Sequence, residues 1–427
     1  MLDNSHMLLA ALVFAGVYAV LVLEKFNRAV VSLLGACVLI FLGVLNQEQA
    51  IHGVDFNTIG LLIGMMLIVA ISQKTGMFQY LAIKSAKAVQ GEPWRVLVML
   101  SVVTAVLSAL LDNVTTVLLI VPVTLVITDQ LKLNPYPFLF TQIFASNIGG
   151  TATLIGDPPN IMIGSAVGLT FMDFVINVAP VIPIIIFATL LPLKFIYGRH
   201  MKVSDEDKKR IMEFKEEEAI TDSKLLKKCL FVLGIVILGF FFHGLLHLES
   251  ATIALFGAAI LLMITNINVH EVFGQVEWGT IFFFTGLFIV VKGLVETGII
   301  KLLAENMVHL TGGNLADTAL LILWVSAIAS AIVDNIPFVA TMIPMIKEMG
   351  AEMGGADKIL PLWWALSLGA CLGGNGTIIG AFANVIVAGF SERAGYPIRF
   401  FKFMALAFPL MLISIVISTV YIWLRYL

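Results

Sequence analysis

Two short polar strings interrupt an apolar chain, and each occurs twice. Leu111-Asp112-Asn113-Val114 returns 222 residues later as Val333-Asp334-Asn335-Ile336. Ser146-Asn147-Ile148-Gly149-Gly150-Thr151-Ala152-Thr153, running on to Gly156-Asp157-Pro158-Pro159-Asn160, is answered at a shift of 224. Its counterpart is Ala370-Cys371-Leu372-Gly373-Gly374-Asn375-Gly376-Thr377, followed by Gly380 and Asn384. A carboxylate beside an amide, in an apolar setting, can carry a proton or a small cation, because burial disfavours the charged form. Asp112 and Asp334 are therefore the expected proton or cation carriers, with the Thr115 hydroxyl beside Asp112. Asp and Asn also cap helices well, so each pair is expected to start a helix too. The glycines and prolines of the second string cannot continue a helix, and their free main-chain groups suit a small cation or an oxygen-rich solute. Asn113, Asn335, Thr151, Asn375 and Thr377 are the expected ligands, with Asn147, Gly149, Gly150, Thr153 and Gly373 lining the same breaks. Na⁺, if used, would lie near Asn113 and Gly149 and near Asn335 and Gly373. Asp157, with Asn160 and Asn384, would support the unwound segments. Asp157 stands where the second copy has Ala381, so asymmetry of function is expected there.

The rest of the chain must place these strings within a membrane. Of the 427 residues, 59% are hydrophobic and 12% charged, with a net charge of -3, and apolar runs long enough to span a bilayer recur from end to end. Other matches at a shift of 222 join Gly35 to Gly257, Thr58 to Thr280, Gly64 to Gly286 and Gly76 to Gly298. Duplication of an apolar chain with matched acids, amides and glycines is the pattern of a secondary transporter. We read a first repeat over 1–198, a charged linker over 199–227 and a second repeat over 228–427. Spans are predicted at 7–24, 28–45, 57–73, 172–197, 228–247, 250–266, 279–295 and 403–424. Hairpins are predicted at 95–130 and 316–350, and broken helices at 136–167 and 360–390. The fold class is all-α and polytopic: two inverted repeats of five transmembrane helices, each with a re-entrant hairpin, giving about ten spans and two hairpins.

Charge sets the expected orientation. With the N-terminus outside, only Lys292, Lys301, Lys347, Lys358 and Arg425 fall outside, and the other Lys and Arg residues, including the whole linker, fall inside. Both termini are then outside and the linker is cytoplasmic, in a cell (inner) membrane. An odd number of crossings per repeat inverts the second, so the hairpins enter from opposite faces. The first span has an acidic lead-in and no small-residue cleavage site, and reads as a membrane helix. Ser5-His6-Met7 is compatible with a cloning scar.

Across the tips and breaks stand Asp112, Asp157 and Asp334 and no Lys or Arg. A multiply charged anion held by side-chain cations is disfavoured, and a neutral solute, a cation or a weakly charged anion fits better. His243 and His247 are four apart, but no Glu follows His243, so an enzyme of the His-Glu-x-x-His type is not expected. Cys37, Cys229 and Cys371 have no metal or redox spacing. A nucleotide-binding Gly-x-x-x-x-Gly-Lys-Ser/Thr loop is absent, so ATP drive would need a separate ATPase subunit. A passive channel is the rival class, against which two opposed hairpins with buried acids favour alternating access.

Taken together, the tip strings, the two Gly-Gly breaks and Gly156-Asp157-Pro158-Pro159-Asn160 resemble the ion transporter superfamily over nearly the whole chain. That group holds arsenical-pump membrane subunits, melanocyte P proteins, sodium–proton antiporters and divalent anion/Na⁺ symporters. The wording is most similar to the arsenical-pump and P-protein branch. Asp112-Asn113-Val114 and Asp334-Asn335-Ile336 depart from the Ser-Asn-Thr tips of the dicarboxylate branch, and Asp157-Pro158-Pro159 departs from the sodium–proton branch. The resemblance implies an elevator-like transport domain of hairpins and broken helices carried on a scaffold of the flanking helices. It also implies H⁺-coupled efflux of arsenite, antimonite or a similar small inorganic solute. Na⁺/H⁺ antiport and Na⁺-coupled carboxylate transport are the alternatives. No cofactor is expected; the coupling ion is H⁺, with Na⁺ the second choice. Expected partners are the solute, the bilayer, an ATPase subunit if one exists and a second copy as homodimer, and no nucleic acid.

Overall fold

A computed structural model describes residues 4–23, 25–199 and 201–427, and among these the regular structure is helical, with no strand. Nine of the described helices are long and apolar enough to cross a membrane. They include Ser5–Leu23, Phe56–Gln73, Phe171–Gly198, Ser223–Leu246, Trp278–Glu296 and Phe400–Tyr426, and three hairpin arms. Two predicted spans are shorter than expected, Arg28–Phe41 and Ser250–Ile264. In the first, Gly43 at φ +72° turns the chain out of the helix, a conformation that suits glycine.

The repeats pack crosswise in the scaffold. Arg28–Phe41 lies along Trp278–Glu296, and Phe56–Gln73 lies along Ser250–Ile264. A Cβ added at Gly286 would come 2.5 Å from the Ser32 carbonyl carbon, and one at Gly64 would come 2.6 Å from that of Ala254. Gly64 matches Gly286 and Ser32 matches Ala254 at the same shift of 222, so the two close approaches exchange under the repeat. Such reciprocity is what a two-fold relation requires. Small residues let helix backbones touch where lipid supplies no hydrophobic drive.

Within each repeat the hairpin embraces the broken helix. Hairpin 1 is Pro93–Leu110 and Asn113–Gln130; hairpin 2 is Leu315–Val333 and Asn335–Glu352. Broken helix 1 is Tyr136–Thr151 and Pro158–Val167; broken helix 2 is Leu360–Gly373 and Phe382–Arg393, with two 3₁₀ turns between its halves. Each first arm packs on the first half of its own broken helix. The second arms cross over: Asn113–Gln130 touches Phe382–Arg393, and Asn335–Glu352 touches Pro158–Val167. The two breaks and the two tips are thereby brought together.

Helices outside the expected spans are Gln47–Gly53, Met77–Ala88, Val269–Gly274 and Ile299–Leu310. Met77–Ala88 and Ile299–Leu310 are repeat mates, each begun by a left-handed glycine, Gly76 or Gly298. The linker contains the helix Asp205–Glu213 and clasps the helix Met77–Ala88 and the end of hairpin 1. Ile211 is buried beside Leu131 and Phe138, Lys132 pairs with Asp207 at 3.0 Å, and Lys87 pairs with Glu216.

Candidate functional site

Each hairpin tip is made by an acid that caps its second arm. Asp112 accepts from the Thr115 backbone N–H at 2.8 Å and from the Thr115 hydroxyl. Asp334 accepts from the Ile336 N–H at 3.0 Å. Both capping expectations thus describe the observed geometry, and Thr115 is spent on its cap. Asp334 also forms an ion pair with Arg28, a cation from the scaffold that no tip or break contributes.

The breaks are closed by amides. Asn160 Nδ2 donates to the Thr151 and Thr153 carbonyls, both at 3.0 Å, and Asn384 Nδ2 donates to Gly374 O at 2.7 Å and Thr377 O at 2.9 Å. These bonds satisfy carbonyls that a continuous helix would have paired. The Thr153 hydroxyl donates to Ala109 O and the Thr377 hydroxyl to Ala331 O, tying each break to its hairpin. The Thr151 hydroxyl turns back to Asn147 O at 2.7 Å. Gly149 and Gly373 are packing positions: an added Cβ would meet the Ala105 and Ala327 carbonyl oxygens at 2.2 and 2.4 Å. Gly150 lies equally tight against Gly156.

What remains is a buried polar cluster spanning both repeats. Asn147 Nδ2 donates to Asn384 Oδ1 at 2.9 Å and Asn375 Oδ1 at 3.0 Å, and Asn147 Oδ1 accepts from Asn113 Nδ2 at 3.2 Å. Asn335 Nδ2 lies 3.4 Å from Asp157 Oδ1, and the Asn113 N–H donates to Gly156 O at 3.0 Å. Asn160 Oδ1 accepts from Ser367 Oγ at 2.6 Å and faces Cys371 Sγ at 3.5 Å. Cys371 is the repeat mate of Asn147, so the contacts Cys371–Asn160 and Asn147–Asn384 are one contact seen twice. Asn113, Asn147, Asp157, Asn160, Asn335, Asn375 and Asn384 are each no more than 2% exposed, so the cluster is sealed from both sides.

Three of its atoms have no hydrogen-bond partner among the described residues: Asp157 Oδ2, Asn113 Oδ1 and Asn375 Nδ2. Buried polar atoms are nearly always paired, so two acceptors and a donor left over in one cluster set it apart from the rest of the buried interior. Four helices begin here, at Asn113, Pro158, Asn335 and Phe382, and the positive ends of their dipoles favour oxygen-bearing groups. The structure separates the sequence-predicted residues into this cluster, the two capping acids Asp112 and Asp334, and a supporting set of Thr115, Thr151, Thr153, Thr377, Gly149, Gly150 and Gly373. Sequence reasoning missed Ser367, Cys371 and Arg28 as neighbours of the site. The repeat alignment pointed to Cys371 through Asn147; Arg28 carries no repeat signal, since its mate is Ser250. His243 is structural: Nε2 accepts from the Phe171 N–H at 3.0 Å, and His247 ends its helix in a left-handed turn.

Paired hairpins, broken helices and a sealed polar centre, helical throughout the described residues, form the architecture of a membrane transporter. A profile of the citrate transporter family (CitMHS) matches residues 18–369. The chain belongs to this family of the ion transporter superfamily. An uncharacterized transporter of Mycobacterium tuberculosis is 44% identical over 421 residues, covering 98% of both chains. The human P protein is 34% identical over an alignment of 501 positions that covers 98% of this chain and 60% of that protein. Among solved structures, the YdaH transporter of Alcanivorax borkumensis has the same fold, with a TM-score of 0.58 at 15% identity, covering 86% of this chain and 85% of that one.

Proposed function

We propose that the protein is an H⁺-coupled secondary transporter of a small neutral hydroxylated solute, with arsenite and antimonite as the trihydroxides the leading candidates. The observation that carries this reading is the pattern of unpaired atoms at the centre. Asp157 Oδ2 and Asn113 Oδ1 accept, Asn375 Nδ2 donates, and a hydroxyl group is both donor and acceptor. A carboxylate has no proton to offer Asp157 or Asn113 and would bring like charge to Asp157. Asp157 is the proposed proton carrier, because Asp112 and Asp334 already hold close partners. Proton binding at Asp157 neutralises the centre and lets the hairpins and broken helices move against the scaffold as one unit. The charge bias supports placement in the cell membrane with the linker cytoplasmic and both termini outside.

A second reading, transport of a carboxylate, is favoured by Arg28, whose guanidinium reaches a hairpin tip, and by the family's name. Proteoliposomes holding a pH gradient separate the two when arsenite, antimonite, Na⁺, K⁺, citrate and succinate are added in turn. The proposal expects proton movement with the metalloids. A response to citrate or succinate alone, or to Na⁺ alone, refutes it.

A further inference from the structure

The two hairpin tips match in sequence but not in backbone. Asp112 is extended, at φ -117°, whereas Asp334 sits at φ +91°, a region that non-glycine residues avoid. Asp334 is also the tip that a scaffold residue grips. Arg28 opens the helix Arg28–Phe41, pairs with the Asp334 carboxylate, and lies 5.6 Å above the ring of Phe382, the first residue of the second half of broken helix 2. The scaffold makes another grip on the same hairpin, where the Tyr18 hydroxyl meets Pro337 O and, at 2.8 Å, Thr341 Oγ1.

Arg28, Ile336 and Phe382 form one wall of a crevice of about 300 Å³, completed by residues that include Asn27, Glu277 and Thr280. Directly behind Ile336 in the chain is Asn335, which reaches Asp157, and two residues beyond Phe382 is Asn384, which holds Asn147. Arg28, Ile336 and Phe382 thus line the open crevice, and Arg28 holds Asp334, which is next in the chain to Asn335 of the sealed centre.

We infer that Arg28 is a gate residue: its ion pair with Asp334 closes the centre on the crevice side and must open in each transport cycle. Arg28 acts through Asp334 and is a positioning residue. The inference rests on the reading that hairpins move against the scaffold, but on neither the solute nor the coupling ion. Strain at Asp334 fits a tip held in one of two arrangements, since the ion pair and the Ile336 cap together fix a backbone that would otherwise relax.

The chain supplies its own reporters. Cys371 is fully buried in the centre, and Cys229 is fully buried in the scaffold helix Ser223–Leu246. With Cys37→Ser removing the exposed thiol, N-ethylmaleimide labelling in membranes, read by mass spectrometry at each cysteine, reports local opening. We expect Arg28→Ala and Asp334→Asn to speed Cys371 labelling about tenfold, equivalent to about 1.4 kcal/mol of closure, with Cys229 unchanged. The exchanged pair, Arg28→Asp with Asp334→Arg, should return the rate toward the parent. Equal acceleration at both cysteines would show general unfolding and overturn the gate. A parent Cys371 that labels measurably and is unchanged in Arg28→Ala would overturn the gate while leaving moving hairpins intact. A Cys371 inert in parent and variants alike would overturn both.

Discussion

Replacing Asn384 by alanine tests whether the amides hold the broken helices together. The side chain donates to Gly374 O and Thr377 O and accepts from Asn147, at 2.7 to 2.9 Å, with no exposure to solvent. Its loss is felt unequally. Asn147 Nδ2 keeps Asn375 Oδ1, and Thr377 O keeps the Gly380 N–H at 3.3 Å. Gly374 O loses the side-chain donor that closes the break. One buried acceptor deprived of its donor costs about 1–3 kcal/mol and an ordinary lost bond about 0.5–1.5 kcal/mol. With two ordinary bonds lost, at Thr377 O and at Asn147, the sum is about 2–6 kcal/mol. At about 2 °C or more per kcal/mol, detergent-solubilised protein should melt at least about 4 °C lower by tryptophan fluorescence. Asn384→Asp should be no better, because it sets an oxygen against two carbonyls. Asn306→Ala, at an exposed helix position, is the control and should stay near the parent. An Asn384→Ala protein that melts with that control refutes the reasoning.

Gly149→Ala and Gly373→Ala should each lower the melting temperature by an amount that corresponds to about 1–3 kcal/mol, because the new Cβ meets the Ala105 or Ala327 backbone. Gly234→Ala, where an added Cβ meets nothing within 4 Å, should not; equal melting of all three would contradict the packing. The linker clasp should be acid-sensitive. The Ser204 hydroxyl and Lys132 hold Asp207 below its usual carboxylate range, and Lys87 does the same for Glu216. Depressed folded values mean that the clasp is stable above the ordinary carboxylate range, near pH 4, and loosens as pH falls through the lower folded values. A nitroxide at Glu213→Cys should gain mobility only in that acid window, and should be mobile at pH 7 in Lys87→Met; a signal indifferent to both would refute the clasp.

The duplicated strings were legible because chemistry and symmetry coincide in them. Asp112-Asn113 and Asp334-Asn335 must break a helix and cap the next, and Gly149 and Gly373 must let backbones touch, so both copies keep their residue types. The short span Arg28–Phe41 was over-extended because Leu42, Val44 and Leu45 carry the apolar run past the turn at Gly43, and Ser250–Ile264 was over-extended by Thr265 and Asn266 alone. Met77–Ala88 and Ile299–Leu310 were missed, being too short to read as spans, although the match of Gly76 with Gly298 marks their starts. The division between cluster and support lay beyond the sequence. Thr151, Thr153 and Thr377 look like ligands by type, yet each hydroxyl is used on a main-chain carbonyl. Arg28 was hidden for another reason: a tertiary ion pair between residues 306 apart leaves no periodic trace.

The most direct test of the transport centre is Asp157→Asn, which keeps size and the Oδ1 contact with Asn335 while removing the charge and the proton. In proteoliposomes with a pH gradient, the wild-type protein should move protons when arsenite or antimonite is added, and Asp157→Asn should bind into the same membranes yet move none. Full solute-driven proton movement by Asp157→Asn would contradict the assignment of Asp157 as the proton carrier at the meeting of the two breaks.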